Sequence, residues 1–150
     1  MKMKCYKLTD KNGQTRNGVQ WGEGVHHAPA EKEGGFCTGG VIHAYTDHLL
    51  AIFLNPIHAN FVEPRLWEAE GKGELLTDNG LKLGFRAGLT TPREIEVPKV
   101  TLTQRVAFGI LCALAVNSDQ AFVAWANDWL TNKDGAEAEA AAEAAAAWAA

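Results

Sequence analysis

Residues 41–73, VIHAYTDHLLAIFLNPIHANFVEPRLWEAEGKG, hold many of the side chains in this chain that are suited to chemistry. His43 ends a short apolar run directly before a helix start. An imidazole can change its charge near neutral pH, and side chains at strand–helix junctions reach pockets. Tyr45, two residues on, projects from the same side of an extended strand. His43 and Tyr45 are therefore expected to line one pocket with Trp21. Arg16 and Arg65 supply guanidinium groups, which pair with phosphate or carboxylate. The set Arg16, Trp21, His43, Tyr45 and Arg65 is the candidate site for an anionic or nucleotide-like ligand, with the base stacked on the aromatics. Glu68 and Glu70 share a strand face. Paired carboxylates do acid–base work when burial separates their pKa values. If the protein is an enzyme, His43 and Glu70 are the expected catalytic groups. The plainer reading gives His43 a backbone carbonyl to hold and leaves the two glutamates on a solvated face.

Other chemistries find less support. Cys37, His43, His48 and His58 are nitrogen or sulfur donors, but their spacing matches no usual zinc pattern. No metal and no cofactor are expected. The chain has no phosphate loop, nucleophile elbow or dinucleotide fingerprint. Its formal net charge is −4 and its Lys and Arg residues are scattered, which argues against general nucleic-acid binding. Cys5, Cys37 and Cys112 form no Cys-x-x-Cys pair and read as free thiols of a reducing compartment. The opening MKMKCYKLTD is too polar for a signal peptide. No apolar run reaches the roughly 18–20 residues that span a bilayer. The expectation is a soluble protein, cytoplasmic in a bacterial host.

The elements that must position these groups can be read from turn signals and periodicity. Residues 3–8 alternate and lead into Asp10-Lys11-Asn12-Gly13, a hairpin-turn signal, with a second strand expected near 19–21. Residues 22–40 are rich in Gly and charge, lack a period and read as a loop of about twenty residues. A strand over 41–45 precedes a helix capped by Thr46 or Asp47. Asn55-Pro56 is expected to end that helix, because the residue before proline avoids helical angles. Residues 65–71 alternate as a strand. Asp78-Asn79-Gly80 is a turn before a strand over 81–85, and a last strand covers 94–97. A helix capped by Thr101 or Thr103 runs to Val116 and is apolar around most of its circumference, so deep burial is expected. Ser118 or Asp119 opens a second helix to Leu130, with a stripe of Phe122, Trp125 and Trp129. Residues 135–150 are mostly alanine and read as a loosely docked helical tail.

Arg16, Gly18, Gln20 and Trp21, then Ile42-His43-Ala44-Tyr45 with Leu49 and Leu50, then Glu68, Glu70, Gly71 and Gly73, then Arg93-Glu94-Ile95 follow one pattern. It resembles a set of uncharacterised proteins common in phages and prophages. Their signature is a Gly-Phe-His-x-Cys-x-x-Pro-Leu junction followed by a Glu-x-x-Gly strand. The resemblance covers about two thirds of the chain and implies a fold and a phage origin, with no reaction attached. Tyr45 stands where the family has cysteine, so a cysteine mechanism does not carry over. His48 stands in place of the helix-opening proline. The order of Arg16, the His43 strand and the Glu68/Glu70 strand is also similar to ADP-ribosyltransferase-like folds, by analogy of order alone.

The chain of 150 residues is thus expected to be α+β. A small, mostly antiparallel sheet carries one inserted helix and is covered by a C-terminal helical hairpin. A single domain over 1–132 has its sheet part at 1–98 and its helical part at 101–131, and 133–150 is an Ala/Glu-rich tail. The leading functional expectation is a non-enzymatic binding protein of phage origin that sequesters a nucleotide-like ligand or blocks a host protein. The alternatives are a nucleotide-acting enzyme, ADP-ribosyltransferase-like or a hydrolase, and a structural or regulatory phage protein that oligomerises through helices within 103–130.

Overall fold

A computed structural model of the protein describes residues 2–131. The chain divides into two compact units, Met1–Pro98 and Lys99–Ala150. The first is an α+β unit. The alanine-rich tail expected at its far end, residues 133–150, lies outside the described residues.

The sheet unit contains β1 (Lys2–Thr9), β2 (Gln14–Thr15), β3 (Val19–Gln20), β4 (Val25–His27), β5 (Ile42–Tyr45), α1 (His48–His58), β6 (Arg65–Lys72), β7 (Leu75–Asp78), β8 (Lys82–Phe85) and β9 (Gly88–Ile95). Seven strands form one sheet in the order β4-β9-β6-β1-β5-β8-β7, and every pairing in it is antiparallel. Strands β2 and β3 pair only with each other.

Register assigns the two faces, because cross-strand partners point the same way. Cys5 opposes Ala69 and Lys7 opposes Trp67. That face carries a core of Cys5, Trp21, Ala44, Ala69, Leu83, Phe85 and Leu89. Gly71 belongs to it because a Cβ there would stand 2.3 Å from the Phe85 ring. Trp67 is buried, and its indole N–H donates to Thr9 Oγ1 at 3.1 Å. The other face carries Tyr6, Leu8 and Leu66. Helix α1 packs on β1 and β5, and its His48 ring lies 5.5 Å from that of Tyr6.

Several local expectations are corrected. The hairpin between β2 and β3 turns at Arg16–Gly18, where Asn17 (φ 64°) and Gly18 (φ 69°) take left-handed angles. The turn expected at Asp10–Gly13 is present, with Gly13 N–H donating to the Asp10 carbonyl at 3.0 Å and the Asp10 carboxylate accepting from Asn12 and Gln14 N–H, each at 2.8 Å, but it leads into the unexpected β2 rather than directly to β3. The loop expected over 22–40 contains the edge strand β4, made by pairing with the distant β9. Strand β7 was not expected, and β9 begins at Gly88 and ends at Ile95.

Helix α1 runs through Pro56 to His58. Proline removes one bond to the carbonyl four residues back. The last turn is held by Asn55, whose carbonyl accepts from Ala59 and Asn60 N–H and whose side chain bridges both backbone groups of Phe61. Asp47 caps the start, accepting from Leu49 N–H at 2.7 Å.

The second unit holds α2 (Leu102–Leu114) and α3 (Gln120–Thr131). Thr101 and Gln104 form a reciprocal capping box on α2. Asp119 accepts from Phe122 N–H at the start of α3. The deep burial expected of α2 is not found: Ile110 is its one buried residue. On α3, Trp125 of the aromatic stripe is 50% exposed, while the adjacent Ala126 is buried.

Candidate functional site

Central strand β1 meets β5 at a single register pair, Tyr6 with Tyr45. Beside that point the carbonyl of His43 is reached by a side chain: Lys7 Nζ donates to it at 2.7 Å. A cleft of about 520 Å³ lies here, within the range of roughly 300–1,000 Å³ usual for small-molecule sites. Its charged walls among the described residues are Lys7, Arg16 and Lys82, and no carboxylate of those residues lines it. His43, Tyr45, His58, Phe61 and Cys37 contribute the rest of its chemistry.

Lys7 is the unusual member. It alternates with Cys5 and Thr9 on the core face and is only 9% exposed. Among the described residues it forms no ion pair. Its ammonium sits 4.9 Å from the centre of the Trp21 ring and is held by the His43 carbonyl. Burial, and after it the charge of Lys82, pulls its pKa down to about 8. Cys5, on the same strand face, is pushed up to about 12 by burial and stays a neutral thiol.

His43 points its Nε2 at the Phe36 carbonyl, 2.5 Å away. A carbonyl only accepts, so Nε2 carries the proton. Burial, then Lys82, lowers the His43 pKa to about 4, and the ring is neutral at physiological pH. The plainer reading of this histidine, a junction fixed by a backbone carbonyl, is therefore met in its geometry, while the ring also lines the cleft.

Tyr45 and His58 stack, with ring centres 5.8 Å apart and planes at 15°. Tyr45 is buried, and burial raises its pKa to about 12. His58 is held below its ordinary value by desolvation and then by Lys82, against a weaker opposing pull from Asp78. The phenol oxygen and His58 Nδ1 are hydrogen-bonded at 3.2 Å.

Of the five residues in the expected binding set, Arg16, His43 and Tyr45 meet at the cleft. Trp21 is 2% exposed in the core, its indole N–H donating to Thr15 Oγ1. It carries Lys7 on its face, and the open aromatic surfaces at the cleft belong to His58 and Phe61. Arg65 is turned to a different task, with both ends of its guanidinium on Glu94, at 2.8 and 2.5 Å, and its plane over Trp67. Glu70 is paired with Lys2 at 2.7 Å and does not line the cleft with His43. Glu68 accepts from Arg93 and Lys4, which hold its pKa down at about 2. Both glutamates are engaged in cross-strand ion pairs.

Lys7 and Lys82 escaped the sequence reading, and His58 was weighed there only as a metal donor. Lys7 did leave a signal: it is a cation on the face where Met3 and Cys5 go inward, and lysine is rarely fully buried without a partner. No group of three or more His, Cys, Asp or Glu side chains able to hold a metal is found among the described residues. No helix among them is long and apolar enough to cross a membrane. Compared with known proteins, the chain matches no family model, no curated protein and no solved structure.

Proposed function

We propose that the chain is a small binding protein that captures a phosphate-bearing, nucleotide-like ligand in the cleft beside the β1–β5 junction. The observation that carries this reading is Lys7, a buried ammonium with no carboxylate partner among the described residues, in a cleft whose other described charged walls are also cationic. A buried charge is costly unless paired, and a phosphate entering the cleft supplies the missing partner. Arg16, exposed on the β2–β3 turn, adds a guanidinium suited to bidentate phosphate contact. His58 and Phe61 offer the flat apolar surface for a base. A sequestering role in a phage setting adds the sequence resemblance to this chemistry.

The test is a thermal-shift series at pH 7 with nicotinamide dinucleotide, ADP-ribose and cyclic nucleotides. A ligand at 100 times its dissociation constant adds about 2.7 kcal/mol to stability, a shift of several degrees for a unit of this size. Arg16→Ala is expected to weaken binding by about tenfold, with no change in the melting temperature of the free protein. Affinity is expected to fall as pH rises through about 8, because Lys7 loses its proton in the free protein there. If no phosphate-bearing compound shifts the melt, the reading is wrong.

A further inference from the structure

Lys7 holds more chemistry than a counter-charge. Lys7 is one of the residues lining the cleft, and one N–H of its amine is directed to the His43 carbonyl, itself the backbone of a cleft residue. The Trp21 ring lies on another side of it. A carboxylate would keep the amine protonated, and among the described residues none pairs with it. The arrangement leaves an amine with a fixed direction, a polar anchor and a neighbouring space that already favours anions.

We infer that the Lys7 amine is a site of reversible imine formation with small phosphorylated aldehydes, whose phosphate is held by Arg16 and Lys82. This rests on the anion-binding reading of the cleft and names a ligand class for it. In the step, the Nζ lone pair attacks the carbonyl carbon and the C=O π pair moves to oxygen. Both amine protons leave with that oxygen as one water, and the C=N bond remains. Nothing is oxidised or reduced. When the imine takes up a proton, its single N–H has the His43 carbonyl as its acceptor. The cation is thereby restored beside the phosphate.

The lowered basicity of Lys7 favours the attack. With a pKa of about 8, roughly a fifth of the amine is unprotonated near pH 7.4, against about one part in a thousand for an ordinary lysine. Crowding by the Trp21 ring and by the cleft walls reduces part of that advantage.

The experiment uses the full chain with pyridoxal phosphate at pH 8, borohydride trapping and mass mapping of the labelled peptides. The expected result is labelling of Lys7 at least about tenfold faster than of the surface residues Lys2, Lys4 and Lys72, following the larger neutral-amine fraction. Unphosphorylated pyridoxal should label Lys7 several-fold more slowly, and Arg16→Ala should remove most of that phosphate dependence. Label spread evenly over the lysines overturns the inference, as does Lys7 labelling that ignores both the phosphate and Arg16. Pyridoxine phosphate, which carries the phosphate without a carbonyl, separates the two readings. If it stabilises the protein while pyridoxal phosphate leaves Lys7 unlabelled, the imine is refuted and the anion site stands. If it gives no stabilisation and Lys7 is unlabelled, both fall.

Discussion

Lys7 shows how one side chain can be held in a state its ordinary chemistry disfavours. Its pKa falls from 10.5 to about 8, so the unfolded chain binds more protons between those values, and stability rises with pH across that window. Below pH 8 the charged amine weakens the fold in full. Lys7→Met, which keeps the volume and drops the charge, is therefore expected to stabilise the protein at pH 7 by about 2 kcal/mol. The gain should shrink to nothing above about pH 10.5, where the variant has only lost a hydrogen bond. Urea unfolding at several pH values measures this, and a gain that persists unchanged at high pH refutes it. His43 has the same sign at the acid end. Its pKa is lowered from 6.5 to about 4, so the stability it contributes as a neutral ring is present above 6.5 and is lost as pH falls through 4. His43→Gln should flatten the stability profile between those values.

At the scale of elements, the site depends on how β1 is shared. It pairs along its whole length with β6, from Lys2 with Lys72 to Thr9 with Arg65, yet meets β5 at one pair only. The long pairing fixes Lys7 in place, and the short one leaves room beside it. Gly71 helps set the inner face by letting the Phe85 ring lie against the β6 backbone. Phe85 is 1% exposed and has nowhere to go. Gly71→Ala is expected to cost about 1–3 kcal/mol by overpacking, read as a lower urea midpoint with an unchanged slope. Asp47→Ala removes the cap of α1 and should cost about 1 kcal/mol. Helix α1 also carries His58 at its last turn, so fraying of that turn should reduce ligand affinity as well as stability. If Asp47→Ala lowers the midpoint and leaves binding intact, the helix end is not needed for the site.

For the molecule as a whole, the core cluster and the cleft are both built from residues of the Met1–Pro98 unit. A fragment ending at Pro98 is therefore expected to melt cooperatively and to keep its response to phosphate-bearing ligands. Calorimetry of the fragment with and without ligand tests both parts of that statement. A broad, non-cooperative melt would show that the sheet unit depends on the rest of the chain. The acid-stable ion pairs of the sheet act across long sequence separations. Glu68 joins β1 and β9 through Lys4 and Arg93, and with its pKa near 2 it remains charged until strongly acid pH.

Local signals carried much of this architecture. Three helix starts were announced by pairs of cap candidates, of which Asp47, Thr101 and Asp119 do the capping, because a cap is a contact between near neighbours in the chain. Alternation identified β1 and β6, and a short apolar run before a helix cap identified the strand bearing His43. His43 and Tyr45 were legible as neighbours of one another, because a junction and a shared strand face are local patterns; Arg16 was chosen for its guanidinium, and the turn that brings it to the cleft was not read. Tertiary structure decided the rest. Strands β4 and β7 exist through pairing with β9 and β8, and neither segment has enough residues to show a period of its own. Trp21 and Arg65 left the candidate set because their partners, Lys7 and Glu94, are distant in sequence and near in space. Lys7 and Lys82 entered it because burial and an absent counter-ion are properties of what surrounds a charge, and the order of residues along the chain does not state them.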